Sequence, residues 1–227
     1  MSGNLTTLAN VKTLNNINSG DMSQDALINL LISSVSSQIE SYCNRQFGYA
    51  NYIDTIASNN RQLLQLQQWP VNNVAYVKQR GNVLVSGQDY QVYPQYLAIG
   101  QLYRGPGWSG ASWVRGLTAD PYVGEYIYEC SYMAGYILPG TTPPVLPLTA
   151  PALPADLQIC ASMMVSKIMA LSNSGNLGQN LSSITEGGLS YSWDTNSNSS
   201  ADLFSITAGM PAQFSSMLNP YKSWAVT

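Results

Sequence analysis

The sequence predicts an α+β fold. Two long stretches with helical periodicity flank a region of short alternating strands, and a proline-dense segment separates the strands from the second helix. At 227 residues with 45% hydrophobic side chains, the chain is long enough to bury a core.

From Ser23 to about Arg45, apolar residues fall at Leu27, Leu31, Val35, Gln38 or Ile39, and Tyr42, with serines opposite. A recurrence of three to four residues is the signature of an amphipathic helix. Ser23 is placed to cap its start, and Asp25 suits the positive end of the helix dipole. Leu5, Leu8, Val11 and Leu14 predict a shorter helix before it. After Gly48 the period changes. Val74, Tyr76, Val83, Val85, Tyr90, Val92, Tyr93, Tyr96 and Ile99 stand among turn residues such as Gly81-Asn82 and Ser86-Gly87, which reads as short antiparallel strands. Trp69-Pro70-Val71 marks a strand start, where proline is tolerated. From Tyr122 to Met133 the alternation puts Tyr126, Tyr128, Cys130 and Tyr132 on one face, with Val123, Glu125, Ile127 and Glu129 on the other.

Six of the twelve prolines lie between Pro139 and Pro154, which forbids helix and favours an extended connector. Leu157, Ala161, Met164, Ile168 and Leu171 then repeat at helical spacing, with Pro154 near the first turn and Gly175 past the end. Glu186–Trp193 is predicted as a short strand, Asn196–Ser200 as a polar loop, and Pro211–Leu218 as a last short helix stopped by Asn219-Pro220. The resulting divisions are 1–47 for the N-terminal helices, 48–138 for the β region with a Gly/Trp loop at 103–121, 139–153 for the connector, 154–175 for the second long helix, and 176–227 for a polar tail.

Composition narrows the function. Only 9% of residues are charged, against about 25% in an average soluble domain. So sparse a charge is explained if neighbouring chains cover much of the surface. A net charge of −3 without a Lys/Arg run disfavours tight nucleic-acid binding. No apolar run approaches the length of a membrane span, and the sequence starting at Met1 lacks the pattern of a signal peptide, so a cytosolic origin is expected. Cys43, Cys130 and Cys160 are odd in number and widely spaced, which predicts free buried thiols rather than a disulfide framework or zinc site.

Two chemical patterns fail on their context. Gly105-Pro106-Gly107-Trp108-Ser109-Gly110 spells G-x-G-x-x-G, but Asp120-Pro121 follows too soon for the helix that would hold a pyrophosphate. It is read instead as a loop displaying Trp108 and Trp113. Glu125 and Glu129 face the same way, but four strand residues separate them by roughly 13 Å, beyond the roughly 5–9.5 Å of glycosidase carboxylate pairs. The chain has no histidine, which removes the usual general base and the commonest metal ligand.

The order of segments carries a resemblance. Leu8-Ala9-Asn10-Val11-Lys12-Thr13-Leu14 leads into a helix ending Ile39-Glu40-Ser41-Tyr42-Cys43-Asn44-Arg45-Gln46-Phe47. Leu64-Gln65-Leu66, Trp69-Pro70-Val71 and Val74 follow, then Tyr132-Met133-Ala134-Gly135-Tyr136 and Leu153-Pro154-Ala155-Asp156-Leu157. In this succession the chain resembles the head–tail connector, or adaptor, proteins of tailed bacteriophages. The glycine loop and the proline segment make it longer than many of them.

The resemblance implies a mainly α fold, a helical bundle with an inserted small antiparallel β region and an extended C-terminal segment. It implies a structural virion protein at the head–tail interface, assembled in the host cytoplasm. That protein would form a ring of twelve copies under the portal protein and receive the next head-closure or tail protein on its other side. DNA would pass through the lumen without specific binding, and no catalytic residue, cofactor, metal or membrane would be involved. By position, Phe214, Met217, Leu218, Tyr221 and Trp224 correspond to the portal-docking segment, while Trp108 and Trp113 are expected to contact a neighbour or the tail. The aromatic residues leave a second class open, a tail-associated or surface module that stacks them on carbohydrate.

Overall fold

The computed structural model describes residues 3–57, 59, 61–108, 127–141, 150–173, 181–183, 192–193, 206–207 and 210–223. The chain divides into two compact units. One combines Met1–Arg45, Leu138–Thr141 and Leu153–Val226; the other is Gln46–Ile137 with Thr142–Ala152.

In the first unit, α1 (Leu8–Leu14) begins at Thr7, whose Oγ1 accepts from the Asn10 N–H at 3.2 Å. α2 (Asp25–Cys43) starts after Gln24 with no side-chain cap. Ser23, expected as the cap, is diverted: its hydroxyl donates to Asp21 Oδ1 at 2.7 Å. Asp25 stands in the first turn as expected and pairs with Lys12 of α1. Asn44 ends α2 in the left-handed region (φ 51°), a conformation asparagine tolerates better than most residues. The buried stripe of α2 is Ile28, Ile32, Val35, Ile39 and Cys43. The predicted stripe began one residue too early, since Leu27 is exposed.

α4 (Ala155–Asn173) packs on α1 and α2 through a face that includes Leu157, Cys160, Ala161, Met164 and Val165. Polar ties lie beside it, with Thr6 Oγ1 2.7 Å from Ser162 Oγ and Asn15 Nδ2 donating to Ser166 Oγ at 2.8 Å. α5 (Ala212–Leu218) returns to this bundle and continues into a 3₁₀ turn, Asn219–Tyr221. Short two-stranded ladders pair β7 (Leu181–Ser183) with β8 (Ser192–Trp193) and β9 (Ile206–Thr207) with β10 (Met210–Pro211). The strand expected at 186–193 is present at its last two residues; 186–191 and the loop 196–200 lie outside the described residues.

The second unit is built on a four-stranded antiparallel sheet in the order β1 (Ala50–Ala57), β6 (Ile127–Ala134), β3 (Val71–Gln79), β4 (Asn82–Leu84). β2 (Leu63–Gln65) and β5 (Gln101–Tyr103) form a separate antiparallel pair, and α3 (Pro94–Leu97) is a single turn. Arg80 and Gly81, both at positive φ, make the two-residue turn of the β3–β4 hairpin, as the twist of such hairpins favours. The alternation read in the last long strand holds where it is described, with Tyr128, Cys130, Tyr132 and Ala134 fully buried.

Eleven buried side chains form this unit's core, among them Leu64, Val77, Leu102, Trp108, Tyr128 and Tyr132. Here the structure corrects the fold class. The expected mainly α bundle with a small β insertion is not what forms: among the described residues there are ten strands against five α-helices, and the β region has its own core. The long helices dominate the sequence pattern because their period extends over many residues, whereas strands of three to nine residues give short, ambiguous signals.

Two motifs in the resemblance acquire physical roles. Gly135 has φ +104°, and a Cβ there would stand 2.4 Å from the Gly48 carbonyl oxygen, so only glycine fits. Three residues earlier, Tyr132 donates its hydroxyl to Asp54 Oδ2 at 2.6 Å and accepts from the Gln68 N–H at 3.1 Å. In Leu153-Pro154-Ala155-Asp156-Leu157, proline precedes the first helical residue and both leucines are buried.

Candidate assembly surfaces

The residues expected to make external contacts are placed unevenly. Trp108 is fully buried, the reverse of a displayed side chain. Gly107 at φ +89° closes a turn with its N–H on the Arg104 carbonyl, and the chain then swings the indole inward. Its Nε1 donates to the carbonyls of Gln62 (3.0 Å) and Leu102 (3.2 Å), and Tyr128 meets the ring edge-on at 5.1 Å between centroids. The G-x-G of the sequence is thus a tight turn feeding the core. Trp113 lies outside the described residues, as does Glu125. Glu129 sits on the sheet face opposite that core, bonded to Tyr76 Oη at 2.7 Å and Lys78 Nζ at 2.8 Å. The lysine, followed by the tyrosine, holds its carboxyl below the ordinary glutamate range.

The C-terminal segment is likewise packed within its own unit. Phe214 and Leu218 are buried in the helical unit, with Lys167 Nζ 5.9 Å from the Phe214 ring centre. Met217 and Tyr221 are half-buried, and Trp224 lies outside the described residues. Tyr221 donates to Asp156 Oδ2 at 2.7 Å, Tyr42 to Asn219 Oδ1 at 3.1 Å, and the Ser223 N–H to the Cys43 carbonyl at 2.7 Å. A short helix needs a groove to be stable in water. The same chain supplies that groove, so Phe214 and Leu218 are core residues rather than free anchors.

What remains exposed and apolar was not expected as contact surface from the sequence. Among the described residues of the helical unit it is Leu14 at the end of α1, Met22, Leu27 and Leu30 around the start of α2, and Ile159 and Met163 one turn apart on α4. On the sheet unit Ile53 and Val83 are each 61% exposed and Val85 50%. Tyr93, Tyr96 and Tyr103 form a further aromatic group, with ring centres 5.7–6.4 Å apart.

The described residues offer little for chemistry. No group of three or more His, Cys, Asp or Glu gathers among them, and none of their helices is long and apolar enough to cross a membrane. Burial pushes the thiols of Cys130 and Cys160 up to about 12 and that of Cys43 to about 11, so all three stay protonated at neutral pH. A recess of about 250 Å³ beside α1 is lined by Asn15, Ile17, Asp21, Gln24, Met169 and Ala170; the Asp21 carboxylate already accepts from Ser23.

Residues 4–105 match the family described as Head completion protein (HCP), which covers α1, α2 and the strands through β5. The connector resemblance is thereby supported over residues 4–105, a little under half of the chain. No curated protein matches the sequence.

Among solved structures, the chain is similar to one in "Neck of empty GTA particle computed with C6 symmetry" (12% identity, 100% of this chain and 97% of that chain, TM-score 0.47). It is also similar to one in "Virion of native gene transfer agent (GTA) particle" (11% identity, 99% and 96%, TM-score 0.47). A third is from "Neck of native GTA particle computed with C12 symmetry" (11% identity, 100% and 97%, TM-score 0.41). TM-scores below 0.5 do not establish a common fold.

Proposed function

We propose that the chain acts as one subunit of a connector ring that docks under the portal and joins the DNA-filled head to the tail. The family match over residues 4–105 carries this reading. A chain with 9% charged residues and apolar patches on both units has the surface expected of a subunit flanked by neighbours. The ring comprises twelve copies, and its slight negative charge lets DNA pass without holding it. The portal is met by the outward side of the C-terminal segment, where Met217 and Tyr221 are partly exposed, while the remaining face receives the next head-closure or tail protein. The role is mechanical, with no reaction catalysed.

The carbohydrate-binding alternative loses its first support, because Trp108 is inside the sheet unit. Cryo-electron microscopy of the particle that carries this chain tests the proposal. Density for the chain in a closed ring between portal and tail is the expected result. Density off that axis overturns the reading.

A further inference from the structure

The four-stranded sheet is open at both ends: no described strand lies beyond β1 on one side or beyond β4 on the other. Edge strands are usually blunted by a bulge, a proline, an outward lysine or a covering element. β1 has none of the first three, since its eight residues pair with β6 in unbroken register and include neither Pro nor Lys. Its one charged residue, Asp54, is occupied within the subunit by Tyr132 Oη and the Gln67 N–H (2.6 and 2.8 Å). β4 (Asn-Val-Leu) and the adjoining Val85 carry no charge.

The registers show how the two ends match. Thr55 pairs with Glu129, Glu129 with Lys78 and Lys78 with Val83, so these four form one row on the outer face. Ile53, Ser131 and Tyr76 form the next row. The outer face therefore has an ion pair at its middle and exposed aliphatic residues, Ile53 and Val83, at its two edges. On the inner face, Ile56 of β1 and Leu84 of β4 are each only partly buried against the core. Among the described residues, each edge thus carries an exposed aliphatic side chain on the outer face and a partly buried one on the inner face.

Strand direction selects the occupant. β1 runs opposite to β6, β6 to β3 and β3 to β4, so β4 is antiparallel to β1. A second copy in the same orientation would bring its β4 beside β1 as an antiparallel neighbour, with Val83 on the Ile53 face and Leu84 on the Ile56 face. The geometry points to the β3–β4 hairpin of a second copy as the occupant of the β1 edge, in a head-to-tail contact that continues the sheet from subunit to subunit. Pairing β1 with another β1 would be two-fold and stop at a dimer, whereas a heterologous contact repeats and can close. This inference rests on the ring reading above and names the surface that builds the ring.

The test uses two full-length double variants, Ile53→Cys with Val83→Cys and Thr55→Cys with Val83→Cys, to span neighbouring registers. Each is oxidised alone and with the portal protein of the same particle, then read on non-reducing gels and by electron microscopy. The native thiols are buried and give little background. A covalent ladder from at least one double variant, with each single variant giving far less cross-linked product, is expected. Adding Thr55→Lys to the Ile53→Cys/Val83→Cys variant, where its ammonium sits opposite Glu129 within its own subunit, should abolish that variant's ladder without lowering the melting temperature. Rings without any ladder would overturn the edge contact and leave the ring reading standing. A ladder without rings would uphold the edge and sink the ring. A ladder unaffected by Thr55→Lys, or equal dimer yield from Ile53→Cys alone, would overturn head-to-tail pairing.

Discussion

Replacing Phe214 by alanine separates two roles for the C-terminal segment. If Phe214 were an anchor awaiting the portal, its loss would leave the free subunit unchanged. The structure places the ring at 2% exposure in the helical unit, with Leu218 fully buried one turn on. Truncating a buried phenylalanine removes its transfer free energy and leaves a cavity, at a typical cost of about 3–5 kcal/mol. That is a large share of the roughly 5–15 kcal/mol that holds a domain folded. At about 2–4 °C per kcal/mol for a chain of this size, the melting temperature falls by about 6–20 °C. The assay is thermal unfolding followed by the far-ultraviolet helix signal, with Met217→Ala as a half-buried control that costs less. Two transitions are to be fitted if the two units unfold separately. A shift under about 2 °C for Phe214→Ala, below what 1 kcal/mol would give, refutes the core placement and restores the segment as an anchor.

Trp108→Ala removes an indole bonded to two carbonyls and is expected to cost about 3–5 kcal/mol in urea unfolding; an unchanged midpoint would return the side chain to the surface. Gly135→Ala must move the Gly48 carbonyl and hold alanine at φ +104°, so it should destabilise by more than about 1 kcal/mol. A neutral result would mean that the backbone relaxes freely there. Because burial raises the three thiol pKa values, Cys43, Cys130 and Cys160 should resist iodoacetamide at pH 8 in the folded protein and react after denaturation, as read by mass spectrometry. Rapid labelling of any of them in the native state contradicts its placement.

The long helices were legible because their apolar period repeats over five turns, yet the period alone misplaced the face of α2. The run Asp25-Ala26-Leu27-Ile28-Asn29-Leu30-Leu31-Ile32 contains two overlapping stripes, and tertiary packing chose the isoleucines. β6 was legible from its alternating tyrosines. β1 was not, because Asp54 sits on its inner side and Ile53 on its outer side, which inverts the pattern expected of a half-buried strand. The contact residues were the least legible. Tryptophan in a glycine-rich stretch suggests display, but a glycine at positive φ turns a chain inward as readily as outward, and only the carbonyls of Gln62 and Leu102 reveal which occurred. Ile53 and Val83 have no distinguishing sequence context; the registers alone put them on one face of the sheet.

The helical unit takes its strands of sequence from both ends of the chain, and this sets a closure problem that the β unit relieves. Thr6 meets Ser162 across 156 positions and Tyr42 meets Asn219 across 177. Closing loops of that length in a disordered chain costs entropy that grows with the logarithm of their length. The β unit shortens the path, because the Tyr49 N–H reaches the Tyr136 carbonyl at 2.9 Å and the Tyr136 N–H reaches the Phe47 carbonyl at 2.8 Å. Once those bonds form, positions 47 and 136 are neighbours and everything between them drops out of the search. The sheet is also complete before α4 and α5 leave the ribosome, so it serves as a clasp already fastened when the second half of the helical unit arrives.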